Sequence, residues 1–263
     1  MNAQTIERHF AKIGARVKVE SDPKRLGGRL SLDVDRDREG EYFDIRVGKV
    51  PSLSIVDANP RIRHLLLMWH QGFRRSKFLC GHDERHWFVA AVPEAMNATN
   101  IATAMESLKP ARVRALQERL KVKPKKRNRR RNPAFVRQGE WFFVPLQDHP
   151  RVNDKFVLRN EPLRRGGGKP HMVEELVRQG GETVYVSVQH ANGLTPYQYE
   201  RLLSNSPKMR KLHWVVQRRN PGVIVRGKIR HSDHKTIVLH DWHEVLMNTE
   251  NQSVAMQHVA FID

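Results

Sequence analysis

Residues 121–131 read KVKPKKRNRRR, and the reading of this stretch decides the architecture expected of the chain. It holds eight basic residues, Lys121, Lys123, Lys125, Lys126, Arg127, Arg129, Arg130 and Arg131, and no acidic one. Charge at that density repels itself and resists burial, and the stretch also contains a proline. It is therefore expected to be a solvated linker until something anionic orders it. This divides the 263 residues into an α+β domain at 1–120, a basic arm at 121–135 and a β-rich domain at 136–263. Outside the block the excess is milder, with 21 basic against 15 acidic residues before it and 18 against 13 after it, within a formal net charge of +19.

A surface this basic points to polyanionic partners, and nucleic acid is the class expected first. Other classes fall away. Apolar runs such as HLLLMW are far shorter than the roughly 18 residues a membrane helix needs, and MNAQTIERHF has no apolar leader core, so a cytoplasmic protein that does not enter membranes is expected. One cysteine, Cys80, excludes an intrachain disulfide and a Cys-rich zinc module, and its apolar context, KFLCG, reads as a buried thiol.

The first half opens on a helix at 4–13. Strand patterns follow: RLSLDVD puts Leu30, Leu32 and Val34 on one face, and EYFDIRV puts Phe43, Ile45 and Val47 on one face. SLSIVDA, RHLLLMW and the hairpin KFLCGHDERHWFVAAVP continue the sheet, and two helices fill 97–120, the second starting at Pro110. The second half repeats short strands from EWFFVPL to WHEVLMN, with helices expected at 171–179 and 196–204 and a curved sheet or partly closed barrel. The expected class is α+β: two mostly antiparallel, β-rich modules with a few short helices, joined by the basic linker.

Candidate binding residues are the eight cations of the block, Arg164, Arg165 and Lys169 in the RRGGGK loop, and Arg226, Lys228 and Arg230 on a strand beside Trp242. Glycines let peptide N–H groups approach phosphate, although RRGGGKP lacks the spacing of an ATP-binding loop. Trp242, in the polar setting HDWHE, and Tyr197, in TPYQYE, are expected to offer ring faces to bases.

Two loci carry possible catalytic chemistry. HSDHKTIVLHDWH at 231–243 contains two His-x-x-His spacings, His231/His234 and His240/His243, that suit Zn²⁺ or another divalent metal. Asp33, Asp35 and Asp44 sit on a predicted hairpin where carboxylates could hold Mg²⁺ or Mn²⁺. The leading expectation is a nucleic-acid-binding component of a ribonucleoprotein or nucleoprotein assembly, RNA ahead of duplex DNA, requiring no cofactor. A metal-dependent nuclease or phosphodiesterase using these histidines or aspartates, and a basic scaffold for an acidic protein partner, stand as alternatives.

Overall fold

The computed structural model describes residues 2–21, 29–49, 52–147, 152–165 and 168–258. Its elements are mixed and its sheets mostly antiparallel. Helix α1 (Ala3–Lys12) is started by Asn2, whose Oδ1 accepts from the Thr5 amide at 2.9 Å, and it buries Ile6 and Phe10. Strands β1 (Val17–Ser21), β2 (Leu30–Asp37) and β3 (Gly40–Val47) form one sheet in the order β1-β3-β2, with β1 parallel to β3. The alternation read on β2 and β3 holds: Leu30, Leu32, Phe43, Ile45 and Val47 are all buried in one cluster with α1.

A four-stranded meander follows, β4 (Leu53–Asn59), β5 (His64–Gln71), β6 (Arg74–Asp83) and β7 (His86–Val92). The unbroken apolar run on β5 is explained by cover on both faces. Leu65, Leu67 and Trp69 point into the cluster shared with β2, β3 and α1, whereas Leu66 joins Leu79, Ala90 and Val92 under helix α2 (Ile101–Ser107).

Helix α3 (Ala111–Arg119) and the one-turn helix α4 (Pro124–Arg127) lead into β8 (Arg131–Asn132), β9 (Phe135–Gln138) and β10 (Trp141–Pro145). Beyond them lie β11 (Leu158–Leu163), β12 (His171–Gln179), β13 (Glu182–Ser187), β14 (His190–Leu194), α5 (Pro196–Asn205), β15 (Val215–Arg219), β16 (Gly222–Arg230) and β17 (Ile237–Met247). Seven strands pair antiparallel in the order β11-β12-β16-β17-β10-β9-β8. The three-stranded sheet β14-β13-β15 grows from this one, because β13 and β15 resume the β12/β16 ribbon beyond Gly180-Gly181 and Asn220-Pro221. At that crossing Gly181 has φ +78°, and a β-carbon there would meet the Arg219 carbonyl at 2.7 Å.

The helix expected at 171–179 is a strand. Its apolar residues, Val173, Leu176 and Val177, have helical spacing, but a register shift between Val173 and Glu175 marks an irregularity that brings Val173 and Leu176 into the same cluster. A bulge thus imitates the period of a helix.

The basic block is built into the fold more firmly than a spacer would be. Val122 is buried beside Val113, Leu116, Ala134, Phe135 and Phe142, so α3 already shares its cluster with β9 and β10 before the block begins. The Arg127 carbonyl accepts from Lys109 Nζ at 2.9 Å and Gln117 Nε2 at 2.8 Å. Near the end of the chain, Thr249 returns to the first half, its N–H and hydroxyl donating to the Leu108 and Ser107 carbonyls, and Ala255 joins the core around α1.

Lys109 is 3% exposed and also donates to Glu106 Oε1 at 2.6 Å and Gln117 Oε1 at 3.1 Å. Lys109→Met is expected to lower unfolding free energy by about 1–3 kcal/mol in urea titration, since it strands the buried Gln117 Oε1 and leaves Glu106 with Arg127 alone. Glu118→Gln, which removes only an exposed partner of Arg127, is expected to change it by less than about 1 kcal/mol.

Candidate nucleic-acid interface and histidine cluster

The block resolves into two kinds of cation. Arg127 and Arg130 turn inward: Arg127 lies 3.3 Å from Glu106, and Arg130 bridges Asp83 and Glu84 at the β6–β7 turn. Lys121, Lys123, Lys125, Lys126, Arg129 and Arg131 are exposed along the same segment. With the backbone held at Arg127, these six charges are presented from a fixed platform, where their mutual repulsion is relieved by counterions or by an anionic ligand.

The other candidate cations are mostly engaged. Arg165 is paired with the buried Glu250, Arg226 with Glu175 at 2.7 Å, and Lys169 with Asp233 at 2.9 Å, while Arg230 donates to Asn160 at 3.1 Å. Arg164 and Lys228 are exposed, and Gly166 and Gly167 lie outside the described residues. Trp242 does not offer a face to bases. It is 7% exposed, packed with Val177 and Ile224, with the Arg226 guanidinium 4.9 Å from the ring centre. Between the pairs Val225↔His243 and Gly227↔Leu239, β17 has two more residues than β16; the surplus leaves His240 and Asp241 outside and turns Trp242 in. Tyr197 is exposed as expected, and Phe73, which sequence reasoning passed over, is fully exposed at the β5–β6 tip beside exposed Arg74 and Arg75.

The aspartates of the first hairpin are occupied separately. Asp35 accepts from the Tyr42 hydroxyl at 3.1 Å, Asp44 lies 2.7 Å from Arg46, and Asp33, opposite Asp44 in register, accepts from the Val34 amide. Burial, then the neighbouring carboxylates, raise the Asp33 pKa.

The two His-x-x-His pairs separate. His240 is exposed on β17, and His243 is buried with Nδ1 2.7 Å from the Asp241 carbonyl. His231 and His234, in the β16–β17 turn, instead meet His171 at the start of β12. One ring nitrogen from each lies within 4.8 Å of the others, and the rings stack, with centroids 4.2 Å apart for His171/His231 and 4.7 Å for His231/His234. Burial, then the other imidazoles, lower the pKa of both His231 and His234, so these rings are neutral near pH 7. His171 escapes a sequence reading because it opens a segment whose spacing is helical. Around the cluster stand Gln138, Glu140, Glu84, Asp233 and Lys169.

Trp242→Ala is expected to cost about 3–5 kcal/mol of stability in thermal or urea unfolding while leaving the salt dependence of polyanion binding unchanged. A variant as stable as the parent chain but weaker in binding would return Trp242 to the interface.

Burial also lowers the pKa of His64 and His243 below the ordinary 6.5; the Ile62 carbonyl, Arg137 and Asp83 face the first, and Asp241 and Arg131 the second. Each stays neutral in the folded chain where the unfolded chain takes up a proton. Their contribution is therefore complete above the unfolded value and is lost as pH falls through the folded one. The urea midpoint is expected to drop between about pH 7 and pH 5, less steeply in His243→Gln; a flat profile in the parent chain would contradict this. Set against known proteins, the chain matches no family model, no curated protein and no solved structure.

Proposed function

We propose that the chain binds nucleic acid, RNA ahead of duplex DNA, as a component of a ribonucleoprotein or nucleoprotein assembly. One observation carries the reading: six cations of 121–131 are exposed together on a segment with no acidic residue, while Arg127 and Arg130 tie that segment to the folded chain. In this reading the segment is a pinned basic ridge joining two α+β modules. Its lysines and arginines displace counterions from phosphates, an interaction that carries little sequence information. The preference for RNA rests on Tyr197 and Phe73, exposed rings suited to unpaired bases, which a regular duplex keeps stacked.

The test is the salt slope. Replacing Lys121, Lys123, Lys125, Lys126, Arg129 and Arg131 with Gln is expected to weaken binding to every single-stranded oligonucleotide tried. It should also flatten log K against log salt by about 0.7 for each phosphate that is no longer neutralised. Fluorescence anisotropy at several salt concentrations reads both. An unchanged slope refutes the ridge, and preferential binding of an acidic peptide over RNA would make the chain a protein scaffold instead.

A further inference from the structure

The histidine cluster has features that electrostatics within the fold does not require. His171 is 2% exposed, and its Nδ1 lies 2.9 Å from Gln138 Oε1. The amide of Gln138 has only one possible orientation, because its Nε2 faces the Lys235 carbonyl at 2.8 Å, and a carbonyl only accepts. Oε1 must therefore accept and Nδ1 carries the proton, which leaves Nε2 as the ring nitrogen that faces the cluster. Glu140 Oε2 stands 3.8 Å from that same Nε2. A positive charge held at Nε2 would be balanced by that carboxylate.

His234 is arranged similarly. Its Nδ1 has no hydrogen-bond partner and lies 3.6 Å from Glu84 Oε2, which is held by the Lys235 amide at 2.6 Å. Across Gly139 the Nε2 atoms of His234 and His171 come together. A β-carbon on Gly139 would sit 3.0 Å from the first and 3.5 Å from the second, and its φ of +56° independently favours glycine. The missing side chain leaves room where the two nitrogens converge.

We infer that His171, His231 and His234 form a binding site for one divalent transition metal of the Zn²⁺ class. Imidazole donors select such ions over Mg²⁺ or Ca²⁺, which prefer oxygen. Zn–N bonds of about 2.0–2.1 Å put ligand nitrogens about 3.4 Å apart, so the 4.8 Å grouping must tighten. His171 is fixed in a strand by Gln138, whereas His231 and His234 lie in a turn and can swing inward by rotation of their side chains. His231 exchanges the 3.1 Å bond that its Nδ1 accepts from the Asp233 amide for the metal, and the proton on its other ring nitrogen stays on the Lys169 carbonyl. Glu140 compensates part of the ion's charge, and the flanking cations are already matched, Lys169 by Asp233, and Arg130 and Arg137 by Asp83 and Glu84. The three ligands come from β12 and the β16–β17 turn, and the β6–β7 turn of the first half reaches the site through Glu84 beside His234.

The experiment uses the full chain without a histidine tag, stripped by chelator and titrated with Co²⁺ and then Zn²⁺. One equivalent of Co²⁺ is expected to give the visible absorption of a low-coordinate nitrogen site, with Zn²⁺ displacing it and Mg²⁺ failing to. His231→Ala and His234→Ala, which leave the strands intact, are expected to abolish the absorption while the metal-free melting curve stays cooperative. Gln138→Met should weaken affinity by about 10–100-fold, and His240→Ala should change nothing. Absence of stoichiometric Co²⁺ binding, or binding that survives loss of His231 or His234, overturns the site.

Discussion

The turn between β6 and β7 is the junction on which the arrangement of the two halves depends. Asp83 and Glu84 sit there largely buried, with Arg130 bridging both and Arg137 3.4 Å from Asp83. Glu84 also accepts from the Lys235 amide. Two carboxylates from the first half thus receive side chains from the basic segment and β9 and a backbone N–H from the β16–β17 turn. Partly desolvated charges are tolerated only when their partners are in place, so this turn locates the basic segment and the histidine turn together. Nearby, His86 continues the same seam, with one nitrogen 2.5 Å from Glu41 and the other 3.8 Å from Asp233.

The same matching of charge decides which cations remain available. Arg130, Arg165, Arg226 and Lys169 have acidic partners within the fold, whereas six cations of 121–131 are exposed. A segment of like charges would be expected to leave the body of the protein, yet here its backbone is held by Lys109 and Gln117 at the Arg127 carbonyl. Backbone hydrogen bonds do not distinguish the sign of the side chains around them. A chain can therefore be locally repulsive and still fixed, and that combination lets the ridge offer charge without the full entropic cost of ordering a free arm on binding.

Irregularities of the large sheet place the polar residues. The shift between Val173 and Glu175 changes the face of β12 partway along, and the two surplus residues of β17 expose His240 and Asp241 while burying Trp242. Without the second irregularity, strict alternation would place Leu239 and His243 on one face with Asp241 and leave Trp242 with His240. His231 and His234 stay together in the turn at 231–236 and meet His171, whereas on β17 His240 is exposed and His243 buried.

The sequence by itself determined the class of the protein and much of its first half. Alternation in RLSLDVD and EYFDIRV specified a hairpin and its buried face because a two-residue period has one meaning when one face is wet. Composition specified a basic chain, and the context of Cys80 a buried thiol whose pKa burial pushes up. Tertiary structure decided what period and composition cannot encode. It made a strand of 171–179, where a bulge reproduces helical spacing, and it buried Trp242 despite polar neighbours. It also sorted Arg127 and Arg130 from the exposed cations around them, because an ion pair depends on which acid the fold brings near. His171 stands sixty residues before His231, and only the pairing of β12 with β16 brings them together, across a distance that local spacing does not measure.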